Sequence, residues 1–409
     1  MPYEGAFLPE DHLSLFTWAI PMAASYLGLK ILKKKVGDAR VVVRPELVHQ
    51  SQIYYYPDGQ HALLTCRIPM KNVGKQQALV IDAHAFLQPA GDRFSDLQPV
   101  CRLVNHEAPR ADGYWEGYII SIGEEMTAEI RLHLTSSEGI AQKVAEMGSV
   151  RFDLHYNYYC RTPLKYNKLE LVLPVDSFEV VSEMQPMPQA PAGKPKAPID
   201  PEATVVPLRT HLIRAGESVL ETVQRYAGPV GRPGDIVILA ETVVAIMQNR
   251  MAYCEEVRPR WLACQINFLF GQHSSLSSPY ALEMAMREVG VARILLATAA
   301  GILGKITRRP GDFYRLAGRA VAAIDDCTGT LPPFDKYVVM GPANGDRLVA
   351  EVKEKTGFEC AIVDANDLGK VDIFHISDPA RSAEVVEALK PNPQGNAAEM
   401  TPLVLIRKR

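Results

Sequence analysis

Apolar and polar side chains alternate with period two along Thr127–Leu134 and again along Arg151–Tyr158. That alternation predicts strands with one face on a core and the other in water. Runs at 41–48, 51–56, 61–69, 78–87, 114–120 and 168–175 read as further strands, separated by Pro, Gly, Asp and Asn turn signals. About eight short strands in roughly 140 residues predict an antiparallel β-sandwich over 39–183. The stretch 184–203, MQPMPQAPAGKPKAPIDPEA, carries six prolines and few large apolar side chains, so it reads as an extended spacer that packs no core.

From residue 204 the pattern changes to strands alternating with helices. Strands are predicted at Val205–Leu208, Ile236–Leu239, Arg319–Ile324, 336–340, Cys360–Val363, Ile373–Ile376 and Leu403–Ile406. Helices are predicted from Leu239 towards Arg250, across 280–300 (Leu282, Met286, Val289, Ile294 and Leu295 at helical spacing), over 345–356 ahead of Gly357, and near 379–389. The chain is therefore read as an α+β multidomain protein: a stem (1–38), the sandwich (39–183), the linker (184–203) and an α/β domain (204–409).

Within the stem, residues 13–29 are uncharged, follow Glu10 and Asp11, and precede Lys30, Lys33, Lys34 and Lys35. The length stands at the lower limit for a bilayer-crossing helix, about 17 residues. The lysines on its C-terminal side would hold the rest of the chain in the cytoplasm, at the inner face of the plasma membrane. A helix buried in the protein or lying on a membrane surface fits the same residues, with Pro21 within it. Residues 13–32 are thus a candidate membrane contact.

The 409 residues carry a net charge of −3, and no basic stripe with interleaved aromatics occurs, so nucleic acid is not an expected partner. Seven scattered cysteines without a C-x-x-C pair argue against a disulfide framework or structural zinc, and for a reducing compartment. His49, His61, His84, His106, His133 and His155 lack metal-ligand spacing and read as strand-face residues. Tyr54, Tyr55 and Tyr56 suit either a protein-binding surface or an aromatic edge strand. The sandwich accordingly reads as an interaction or spacer module.

Chemistry is expected at two acidic pairs after predicted strands, Asp325/Asp326 and Asp364/Asp367. Hard divalent cations such as Mg or Mn take carboxylate oxygens, and ligands of open α/β sheets gather at strand ends. Aspartates after strands also serve as turn formers and helix caps. Gly301–Thr307 fails as a phosphate-binding P-loop, because Ala299 stands at the first glycine position and Ile306 where Ser or Thr should follow the lysine.

Several segments of 204–409, taken in order, resemble the coenzyme F-420-0:gamma-glutamyl ligase family. They are Val206-Pro207-Leu208; Gly234–Thr242 running on to Arg250; Pro310-Gly311-Asp312-Phe313 with Ala323-Ile324-Asp325; Ile362–Lys370; and Thr401–Arg407. The resemblance implies a GTP-dependent (or ATP-dependent) ligase that activates an acid substrate and joins it to L-glutamate with Mg or Mn, in a homodimer. By position it implies Asp325 as a metal ligand with Asp364 or Asp367 as the second; Asp326 is a further candidate ligand, and Asp325 and Asp367 are the candidate catalytic residues. It places Leu208, Arg209, Thr210, Glu241, Thr242, Thr328 and Lys370 near the nucleotide. This chain departs from the family in having Thr242 and Ile246 at lysine positions, Cys327-Thr328 after the first aspartate, and a shortened segment after Lys370. Those departures suit a second reading, a catalytically impaired ligase-like domain in a membrane-tethered binding or scaffold protein.

Overall fold

A computed structural model describes residues 25–88, 94–110, 112–137, 139–183, 186, 204–271, 274–309, 311–327, 330–395 and 399–408. The apolar stretch 13–24, nearly all of the proline-rich spacer and Thr328 lie outside these residues. A helix occupies 25–36.

Ten strands then form two facing sheets. They are β1 (Val41–Val43), β2 (His49–Tyr55), β3 (His61–Asn72), β4 (Ala78–Leu87), β5 (Gln98–Asn105), β6 (Tyr118–Ile120), β7 (Glu125–Thr135), β8 (Ser149–Tyr159), β9 (Lys165–Pro174) and β10 (Glu179–Val180). One sheet has the order β10-β2-β3-β7-β5 with β1 on β3, and the other β6-β4-β8-β9. All pairings are antiparallel except β10 with β2. The period-two positions do as they must. Ile130, Leu132 and Leu134 of β7 meet Phe152 and Leu154 of β8 in one apolar core.

The structure departs locally from the pattern reading. β5 was missed because Gln98–Asn105 (QPVCRLVN) opens polar and contains a proline, which a sheet edge tolerates. Ile140–Met147 is a helix, started and stopped by Gly139 and Gly148, rather than a connection. The expected strand 114–120 contracts to Tyr118–Ile120, and Pro45 turns 45–47 into a short 3-10 helix.

The C-terminal half centres on a five-stranded sheet of β11 (Val205–Leu208), β12 (Ile236–Ala240), β15 (Glu359–Ala365), β16 (Val371–Ile376) and β17 (Leu403–Ile406), ordered β11-β17-β12-β15-β16. Only β12 and β15 run parallel. A separate ribbon pairs β13 (Met251–Tyr253) with β14 (Tyr337–Val339). Gly345–Thr356 is helical and ends on Gly357 in the left-handed region, as its sequence predicts. The strand expected over Arg319–Ile324 is not formed. Arg319–Ala322 is a helix instead, because the alanines favour helix and Gly318 breaks the chain before it. The apolar run 280–300 becomes two helices, Pro279–Val289 and Val291–Ile306, bent by 116° at Gly290.

The two halves are packed on each other. Leu79, Ile81 and Tyr159 of the sandwich share a core with Cys254, Leu276, Tyr280, Leu282, Ile324 and Val338. Arg161 is buried, and its guanidinium Nη1 donates to the carbonyls of Asn267 (3.0 Å) and Phe270 (3.1 Å). The amide of Asn267 donates back to the Arg161 carbonyl at 2.6 Å. Against the expectation from cysteine spacing, Cys254 and Cys327 are joined in a disulfide, while five other cysteines are free.

Candidate functional site

At the ends of the parallel strands β12 and β15 the chain leaves the sheet and opens a cavity of about 370 Å³. Ala240, Glu241 and Thr242 enter it from β12 and the following helix, and Val363 and Asp364 from β15. Thr210 and His211 follow β11, Gln394 and Thr401 precede β17, and Asp325, Leu331 and Phe334 come from the loops around the ribbon. The backbone of Asp325 is locked to Val339 by two hydrogen bonds, 2.9 and 3.0 Å.

Three carboxylates line this space: Glu241, Asp325 and Asp364. Burial, followed by repulsion from Asp325 and Asp364, pushes Glu241 up to about 9. Burial also pushes Asp325 up to about 6, against the Thr242 hydroxyl, which donates to its Oδ2 at 3.1 Å. Asp364 is raised by burial, with Lys370 partly opposing. Among the described residues the buried Oε1 of Glu241 has no hydrogen-bond partner, and no Lys or Arg lines the cavity. Glu241 is buried, Asp325 half-buried and Asp364 exposed at the rim, and carboxylates so placed call for protons or a cation. Among the described residues no three His, Cys, Asp or Glu side chains are grouped closely enough to hold a metal by themselves. Two carboxylates with water and phosphate oxygens complete many magnesium sites, and that donor chemistry suits Mg or Mn here.

The proton occupancy has a consequence for stability. Asp325 is raised from 3.8 to about 6, so the folded state holds a proton that the unfolded chain releases. Its contribution is fully present below the unfolded value and is lost as pH rises through about 6; Glu241 extends the same trend up to about 9. In chelator, the thermal midpoint is expected to fall between about pH 5 and pH 8, with Asp325→Asn flattening the slope. A midpoint that climbs over this interval in calorimetry would contradict the assignment.

The sequence-predicted residues divide. Glu241, Thr242, Thr210, Asp325 and Asp364 are brought together at the cavity. Asp326 turns the other way: it is half-buried, accepts from the Tyr159 hydroxyl at 2.8 Å, and faces the sandwich. Adjacent residues leaving an extended bridge point to opposite sides, so Asp325 and Asp326 cannot share one ion. Asp367 accepts from Asn392 at 2.7 Å and does not line the cavity, and neither does Lys370. The turn Asn366–Gly369 carries both away from β15. Leu208 is buried in the sheet core and Arg209 is exposed, so neither lines the cavity. His211, Leu331, Phe334, Gln394 and Thr401 were not anticipated. They come from connections whose only signals were Pro and Gly, which mark turns without saying where they lead.

The sandwich helps to shape this site. Tyr159 anchors Asp326, next to Asp325. The hydroxyl of Tyr114 (2.7 Å) and the amide of Gly117 (2.8 Å) both donate to buried Asp335, next to the cavity-lining Phe334. Lys336 completes the contact with Asp82 at 3.4 Å.

Residues 96–177, which contain Tyr114, Gly117, Tyr159 and Arg161, match the family described as F420-0:gamma-glutamyl ligase, N-terminal Ig-like domain. The sandwich is thus similar to the N-terminal Ig-like domain of gamma-glutamyl ligases over those residues. The match lies in the N-terminal half, not in 204–409 where the motif resemblance was placed; strand alternation alone could not separate an Ig-like ligase domain from other sandwiches. No curated protein matches the chain. Solved structures similar to it include the structural-genomics target SoR45 (11% identity, TM-score 0.20, covering 36% of this chain and 94% of that one). Another is the ligand-binding region of serine-glutamate repeat protein A of Enterococcus faecium (14% identity, TM-score 0.17, covering 35% and 99%). At these TM-scores neither likeness bears on the fold or the function.

Proposed function

We propose that the chain is a carboxylate–amine ligase, adding glutamate or a similar amine to an acid substrate at the cavity of Glu241, Asp325 and Asp364. The observation that carries the reading is the convergence of Glu241, Asp325 and Asp364 at the ends of β12 and β15, where the buried Glu241 Oε1 has no partner among the described residues. The Ig-like match, whose residues brace the loops of that same cavity, supports it.

In this reaction class the acid's carboxylate oxygen takes the terminal phosphoryl group of GTP or ATP, releasing the diphosphate. The amine nitrogen then bonds to the acyl carbon, phosphate leaves, and the amine sheds a proton. A divalent cation at Asp325 and Asp364 would offset the charge of the transferred phosphoryl group. Thr242 fixes the Asp325 carboxylate, and Glu241, once ionised beside a bound cation, would be placed to accept the proton released at the amine.

A second reading has its own observation: among the described residues no Lys or Arg lines the cavity to hold phosphates. That suits a ligase-like domain retained for binding, on a scaffold whose sandwich meets another protein. The two readings part in one measurement. With Mg or Mn, millimolar GTP or ATP is expected to raise the thermal midpoint of the full chain, about 2.7 kcal/mol of stabilisation at a hundredfold excess over Kd. Nucleotide alone is expected to give no shift. No shift with either metal rejects the ligase reading; a shift without amide product on screening acids with glutamate favours the scaffold.

A further inference from the structure

The helix Val291–Ile306 is apolar on both sides. Ile294, Ala297, Thr298 and Gly304 face the core, yet its outward stripe is Leu295, Leu296, Ala299, Ile302, Leu303 and Ile306. Leu296, Leu303 and Ile306 are 67%, 61% and 73% exposed, the reverse of what a solvent-facing helix carries. A second apolar surface lies close by. The helix 25–36 exposes Tyr26, Leu27 and Ile31, and Lys33 ties it to the segment 261–270. The Lys33 ammonium donates to the Cys264 carbonyl at 3.1 Å and sits 4.9 Å from the Phe268 ring. The other end of that segment reaches the long helix, where Lys305 donates to the Leu269 carbonyl at 3.4 Å. Trp261, 67% exposed, stands at the start of the same segment.

Charge says what covers this face. The stretches 25–36 and 291–315 hold Lys30, Lys33, Lys34, Lys35, Arg293, Lys305, Arg308, Arg309 and Arg315 against one acidic residue, Asp312, in a chain whose net charge is −3. Exposed leucines, an exposed tryptophan and a basic surround are the chemistry of a surface that lies in the headgroup region of an anionic bilayer. The uncharged sequence 13–24 runs directly into the helix 25–36, adding apolar length on the same side of the chain order. We propose that the exposed faces of helices 291–306 and 25–36 dock together on an anionic phospholipid surface, independently of any ligase activity.

The test is sedimentation of the full chain with phosphatidylcholine vesicles, with and without phosphatidylglycerol. Binding is expected to vesicles containing phosphatidylglycerol, to weaken with salt, and to drop about tenfold or more in Leu296→Glu/Leu303→Glu. Those two side chains are exposed, so the variant should keep its thermal midpoint; if it does not, Leu303→Ser alone, which adds no charge, is read for partition in its place. No binding to anionic vesicles overturns the proposal, and so does undiminished binding by the variant, which would leave residues 1–24 as the sole anchor. A concentration-dependent dimer in sedimentation velocity that the variant abolishes would also overturn it, by giving the face to a second copy. Nucleotide-dependent shifts, measured without vesicles, are unaffected by any of these outcomes.

Discussion

Replacing Arg161 with alanine is expected to lower the thermal midpoint of the full chain by roughly 3–4 °C, equivalent to about 3 kcal/mol for a chain of this size. Arg161 is 2% exposed, and its guanidinium Nη1 donates to the Asn267 and Phe270 carbonyls, with the Ser277 carbonyl at 3.5 Å. Its backbone amide donates to the Asp38 Oδ1 at 2.9 Å. Burial pushes Asp38 up, but Lys165, Thr162 and this amide together hold its carboxyl below the usual range. Truncation removes the charged donor shared by the Asn267 and Phe270 carbonyls, and hydrogen bonds to a charged group are the costly ones to lose. Arg161→Lys keeps the charge but not the planar fork, so an intermediate loss is expected. Calorimetry reading a change within about 1 °C for the alanine variant would mean the halves are held by the shared apolar core alone. If the interface positions the cavity loops, the same variant should also weaken the metal-dependent nucleotide shift.

The legible parts of the fold were those with strong period. β3, β4, β7 and β8 alternate over long stretches because one face of each is buried, and β12, β15 and β17 are continuous apolar runs because they are covered on both faces. What failed was short or locally ambiguous. Arg319–Ala322 is four residues long, too short for period to tell helix from strand. β5 lies at a sheet edge, where burial imposes little pattern. At the site, Asp325 and Asp364 were visible as acids following apolar runs, while the fates of Asp326 and Asp367 depended on contacts made by Tyr159 and Asn392, 167 and 25 residues away in the chain. Sequence shows that a carboxylate follows a strand. It does not show which of two adjacent carboxylates turns inward, because that choice belongs to the partner across the interface.

That choice makes the two aspartates a matched pair for experiment. Asp325→Asn is expected to remove the shift produced by nucleotide with Mg or Mn, while raising the midpoint of the metal-free protein. The carboxyl is raised from 3.8 to about 6, so above pH 6 the folded state carries an unfavourable charge worth roughly 1–3 kcal/mol, which the amide does not bear. Glu241→Gln acts in the same direction, since burial and the two neighbouring carboxylates hold Glu241 at about 9. Gaining stability while losing ligand response is the signature of a charge kept for binding and not for folding. Asp326→Asn should differ: the residue accepts from Tyr159 away from the cavity, so the variant is expected to keep the metal-dependent shift. Asp367→Asn, outside the cavity, should keep it too. Scanning calorimetry of the four variants, with chelator and then with metal and nucleotide, separates the cases. An Asp325→Asn protein that still responds to nucleotide and metal would place the cation elsewhere and leave the cavity's carboxylates without a ligand to explain them.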